Sequence, residues 1–106
     1  MNIRRRVTAA PALPDDTQSD IARLQELWGD LRRRFGAGGP FLFGRRSIAD
    51  AMFAPVCTRF RTYGVKLDAT SQAYCDAIFA DAAFCAWEKA AIAEPWTIPA
   101  TDALYA

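Results

Sequence analysis

Three thiols and no imidazole set the limits of the side-chain chemistry open to this sequence. Cys57, Cys75 and Cys85 are its cysteines, and none of its 106 residues is a histidine. Without an imidazole base, the Ser-His and Cys-His arrangements that activate a nucleophile are excluded within the chain. An odd number of cysteines with no CxxC spacing does not make a structural zinc site. The three read instead as buried, reduced thiols of a cytoplasmic protein. No catalytic residue and no metal ligand is assigned.

A second constellation does structural chemistry. Ser47-Ile48-Ala49-Asp50 has the spacing of a capping box. The Ser47 hydroxyl accepts the amide proton of residue 50, and the Asp50 carboxylate reaches back to the Ser47 amide. The shorter Asp stands where Glu or Gln is more usual. The apolar staple that often accompanies such a box is missing, because its two positions hold Arg46 and Ala51.

These residues need elements to position them, and the composition points to helices. Hydrophobic residues make up 52% of the chain, but 21 of them are Ala, the best helix former. Only three Val and six Ile are present, so strand formers are scarce. Ile21, Leu24, Trp28, Leu31 and Phe35 recur at spacings of 3 and 4, which predicts an amphipathic helix over about 16–35. Asp15, Asp16 or Thr17 is its expected cap, Arg32–Arg34 suit its last turn, and Gly36 ends it. Residues 36–46, with four Gly and a Pro, read as a tight loop pinned by Phe41, Leu42 and Phe43. From Ser47 to Gly64 a helix apolar on more than one side is expected to be central, with a kink at Pro55. Shorter helices follow over 69–80 and from Asp81 to the residue before Glu94-Pro95. Residues 1–14 read as an extended lead-in. Residues 95–106, with Trp96, Ile98, Leu104 and Tyr105, read as an irregular tail packed back on the bundle. The fold class is all-α, a small bundle of four to five helices in one domain over 1–106.

Charge excludes some partners. The net charge is +1, so no overall field draws the chain to nucleic acid or membrane. Residues 1–61 carry 11 basic against 6 acidic side chains, and residues 62–106 carry 2 against 6. The arginine clusters read as solvated surface, and a helix-turn-helix nucleic-acid binder is disfavoured. No apolar run reaches the ~20 residues of a membrane span, and no apolar stretch follows the basic N-terminus to make a signal peptide.

The ordered series Asp20-Ile21-Ala22-Arg23 with Trp28, Gly39-Pro40-Phe41-Leu42-Phe43-Gly44, Ser47-Ile48-Ala49-Asp50-Ala51, Thr58 to Tyr63, Trp87-Glu88 and Glu94-Pro95-Trp96 resembles the C-terminal helical domain of glutathione S-transferases, over about residues 2–98. The resemblance implies a domain that forms the wall of a hydrophobic-substrate cleft. Glutathione, the cofactor of intact members, is held by a thioredoxin-like domain not visible before Met1. A truncated chain, not catalytic alone, is therefore expected. The resemblance also implies that the position nine residues after the capping Asp lines the cleft. That position is Arg59, with Tyr63 one turn further on. A homodimer is expected through the apolar helix faces that the missing segments would leave bare, the Ile21–Phe35 stripe among them. The alternative function is a non-catalytic protein-interaction module.

Overall fold

The computed structural model describes residues 2–103. Leu104 and Tyr105, assigned above to the tail, lie outside them. The order of elements is α1 (Asp15–Phe35), a 3-10 turn (Gly36–Gly38), α2 (Ile48–Tyr63), α3 (Ala69–Ala80), α4 (Ala82–Ala93) and α5 (Pro99–Asp102). The fold is all-α, as its composition requires.

Trp28 on α1 is the hub of the core and is fully buried. Its ring meets Tyr74 of α3 at 4.8 Å, Phe53 of α2 at 5.5 Å and Phe60 of α2 at 6.0 Å, all edge-on. That geometry places the positive edge of one ring on the negative face of the next. Leu42, Cys57, Cys75, Ile78 and Phe84 complete the buried cluster. The stripe at 21–35 is therefore covered inside this chain over much of its length, with Leu24 and Leu31 packed against the cluster. Only Phe35, 47% exposed, stands well out of it. The expectation of a bare seam there is corrected, because α2 and α3 supply its partner.

Helix ends follow from their caps. Asp68 accepts the Ser71 amide at 2.7 Å to start α3, and Asp81 accepts the Phe84 amide at 3.0 Å to start α4. Gly64 ends α2 with φ of 63°, a left-handed conformation that costs glycine nothing. Two details of α1 differ from expectation. It starts one residue earlier, with Pro14 at the cap and no side-chain bond there. Gly36 does not turn left-handed either: the helix tightens into the 3-10 turn. Arg32 Nη1 replaces the missing turn, lying 3.0, 2.5 and 2.7 Å from the carbonyl oxygens of Gly36, Gly39 and Phe41. Of the three loop residues expected to pin 36–46, Leu42 is fully buried but Phe43 is 45% exposed.

The box at Ser47 and Asp50 forms. The Ser47 amide donates to Asp50 Oδ2 at 2.7 Å, while Tyr74 donates its phenolic proton to Oδ1 at 2.8 Å. The carboxylate is 1% exposed, so both oxygens need these donors. Arg46, in the staple position, instead meets Asp81 Oδ2 at 3.2 Å and ties the starts of α2 and α4 together. Near the other end of α2, Arg61 pairs with Glu88 of α4 at 2.8 Å and lies 4.1 Å over the Phe79 ring.

The lead-in and tail are tied to each other. Val7 donates to the Thr62 carbonyl at 3.0 Å. Arg4 donates to the carbonyls of Ile92 and Glu94, and Arg5 to that of Asp102. Two arginines of the first cluster are thus used on helix-end carbonyls, where the backbone lacks donors. The tail corrects two expectations: it contains the short α5, and it leaves Trp96 77% and Ile98 66% exposed.

Removing the phenol should uncover the worth of the buried carboxylate bond. Tyr74→Phe should cost about 1–3 kcal/mol, because Oδ1 loses its donor where water cannot replace it. Ser47→Ala should cost about 0.5–2 kcal/mol. Both appear as a lower urea midpoint at constant slope. If Tyr74→Phe leaves the midpoint where it was, the bond contributes nothing.

Candidate functional site

Two places in the fold gather chemically capable side chains. The first is the interior between α2 and α3, where Asp50, Cys57, Tyr74 and Cys75 are each 1% exposed or less. Cys57 hydrogen-bonds with Cys75, and this bond, followed by burial, pushes the Cys57 thiol far above its ordinary range. Burial first, and then the bond to Asp50, pushes the Tyr74 phenol up in the same way. A nucleophilic cysteine needs the opposite shift, toward thiolate. Cys57 and Tyr74 are thus held protonated, so the cluster is structural.

Cys85 corrects the expectation of three buried thiols. It lies on the outer face of α4 and is exposed, with its sulfur 3.1 Å from the Phe79 carbonyl. All three cysteines are free. Among the described residues no group of three or more His, Cys, Asp or Glu could hold a metal ion, and no helix is long and apolar enough to cross a membrane.

The second place is a cavity of about 380 Å³ where α2, α4, the lead-in and the tail meet. Pro55, Thr58 and Arg59 form one wall, Trp87 and Ala91 another, and Trp96 and Ile98 the rim. Thr58 turns its hydroxyl onto the Pro55 carbonyl at 2.6 Å, so the α2 wall presents little free polarity besides Arg59. Asn2 and Arg4 close the far side, with Glu94 and Asp102 at the edge. Its lining combines two tryptophans and apolar side chains with the charged Arg4, Arg59, Glu94 and Asp102.

Of the two cleft residues implied by sequence, Arg59 stands in this wall. Tyr63 is half-buried one turn further along α2 and is not part of it. Sequence reasoning missed Trp87 and Trp96 as lining this cavity, having assigned Trp96 to the packed tail. Their spacing carries no such signal, because Trp87 within α4 and Trp96 beyond its end read equally as core.

Compared with known families, the chain matches the model of the glutathione S-transferase C-terminal domain over residues 14–88. No curated protein and no solved structure matches it. The matched span holds Pro55, Thr58, Arg59 and Trp87, whereas the walls from the lead-in and tail lie outside it.

The thiols give two tests. In the native protein a disulfide reagent should titrate Cys85 alone, and Cys57 and Cys75 should react only after unfolding. Rapid reaction of all three would contradict the burial. The second test uses pH. An unfolded chain releases its Cys and Tyr protons near about pH 8.5 and 10, whereas the folded state keeps those of Cys57 and Tyr74. The folded state then binds more protons, so stability is complete below these values and falls as pH rises. Each group contributes a slope of about 1.4 kcal/mol per pH unit. A urea midpoint that stays flat from neutrality to above the tyrosine range would contradict the shifts.

Proposed function

Since the chain belongs to the glutathione S-transferase C-terminal domain family, we propose that its cavity is the apolar wall of a hydrophobic-substrate cleft. The observation that carries this reading is the meeting of Arg59 with Trp87 and Trp96 around one open cavity. A planar aromatic ligand would stack on the two indoles, with a polar substituent toward Arg59. The thiol chemistry on glutathione is assigned to a thioredoxin-like domain, as the family resemblance implies. The chain supplies binding and orientation to that reaction. Of its own cysteines, Cys57 and Cys75 are buried and Cys85 lies on the outer face of α4, away from the cleft. Free thiols also support a cytoplasmic location.

A second reading, the non-catalytic interaction module, has one observation in its favour. Ile48 and Met52 on α2 are 82% and 72% exposed beyond the cleft.

The cleft is tested by its own fluorophores. Trp28 is fully buried, while Trp87 and Trp96 are 52% and 77% exposed. Anilinonaphthalene sulfonate should quench the two exposed indoles by energy transfer and brighten. Trp96→Ala should weaken its binding about tenfold, or about 1.4 kcal/mol. Binding unchanged by Trp96→Ala and by Trp87→Ala would place the ligand elsewhere. Purified chain with glutathione and a generic electrophile should show no turnover above the uncatalysed rate. Turnover that disappears on substituting a residue of this chain would overturn the division of labour.

A further inference from the structure

The cavity at Arg59 has a neighbour on the same pair of helices. A second cavity, of about 330 Å³, is bordered by Ala51 and Ala54 of α2 and by Ala83 and Phe84 of α4. The first takes Thr58 and Arg59 further along α2 and Ala91 further along α4. Pro55 and Trp87 border both. The order along each helix is therefore the same: second cavity, shared residue, first cavity. The two spaces lie in line, with Pro55 and Trp87 at the passage between them. From Ala51 to Arg59 the helix rises ~12 Å.

The two residues at the passage differ in freedom. Pro55 is a rigid ring within a helix. Trp87 is half-exposed, and its indole is placed by a row of rings. Phe84 meets it at 5.7 Å, and Phe79 meets Phe84 at 5.6 Å. Phe84 itself is buried, which fixes the row to the core. The acidic side chains of the second cavity are already bonded. Ser47 and Tyr74 donate to Asp50, while the Phe84 amide and Arg46 meet Asp81. An apolar chain entering there would leave neither carboxylate without a donor. The charge of Arg59 lies on the other side of the passage.

We propose that Trp87 sets the length of ligand that the site accepts. This inference rests on the cleft reading above. The indole closes the passage, so a bound aromatic anion is confined to the cavity of about 380 Å³ beside Arg59. The ligand class is then compact: one planar ring system with an anionic substituent and no long apolar chain. A small side chain in place of Trp87 joins the two cavities. A chain on the end of the ligand away from Arg59 then passes between α2 and α4 into the second. Trp87 thus has two effects on specificity: it stacks on the ring, and it limits what extends beyond it.

Competition of para-alkylbenzoates, methyl to octyl, against anilinonaphthalene sulfonate on the full chain tests the proposal. Each methylene that finds apolar space should add about fourfold in affinity, and one left in water should add nothing. For wild type, affinity should stop rising partway along the series, where the chain meets the indole. For Trp87→Ala the rise should continue to octyl. The methyl member should bind this variant about twofold to tenfold more weakly, for want of one stacking face. Trp87→Phe keeps a ring against Phe84 and covers the case in which alanine destabilises α4. Its break should come at a longer chain than in wild type. Circular dichroism checks that each variant is folded. A break at the same chain length in wild type and both variants would overturn the proposal while the cleft reading stands. So would the absence of any break in wild type. Failure of every probe to bind wild type would overturn both readings together.

Discussion

A carboxylate taken out of water must find a donor for each oxygen or leave its charge uncompensated. Asp50 meets this constraint with the Ser47 amide on one oxygen and the Tyr74 phenol on the other. The first bond starts α2. The second fixes α3 against the start of α2, and Tyr74 in turn packs its ring on Trp28 of α1. One short acid thus links a local cap to the packing of three helices. It also accounts for the shorter side chain at the third helical position: a Glu would carry its carboxylate one methylene further from the Ser47 amide and from the phenol together.

The pairs between α2 and α4 work differently. Arg46–Asp81 and Arg61–Glu88 bridge the two helices near opposite ends of α2, with the small residues Ala51, Ala54 and Pro55 between them. Small side chains leave space where larger ones would have closed the gap, so a groove remains along the middle. The more exposed Arg46 pair contributes little energy by itself. Its effect is geometric: it sets the spacing of two helices whose facing residues do not fill it. The cavity between the two helices has this origin.

Much of the fold was legible in the sequence because it depends on local rules. The 3-4 spacing from Ile21 to Phe35, the cap at Asp81, and the stop at Gly64 each depend on neighbours within one or two turns. Ser47 and Asp50 were legible for the same reason, but the Tyr74 bond to that box was not, since it joins residues 24 apart. Arg59 reached the cleft list through family resemblance. Trp87 and Trp96 did not, because their exposure depends on where α4 ends and how the tail departs. The exposure of Cys85 was missed for a related reason. A helix as rich in Ala as α4 shows no sharp apolar face, so the sequence did not say which side would meet water.

Composition and periodicity determined by themselves that this chain is helical, where its helices begin and end, and that it has no imidazole chemistry. Those properties follow from backbone hydrogen bonding and side-chain entropy, which act over a few residues. Only the tertiary structure decided which apolar faces are covered. It buried the α1 stripe under α2 and α3 and left Ile48, Met52, Trp87 and Trp96 in water. Burial is a property of pairs of surfaces: a stripe of apolar residues states that a partner is needed, and packing alone settles whether the chain itself provides it.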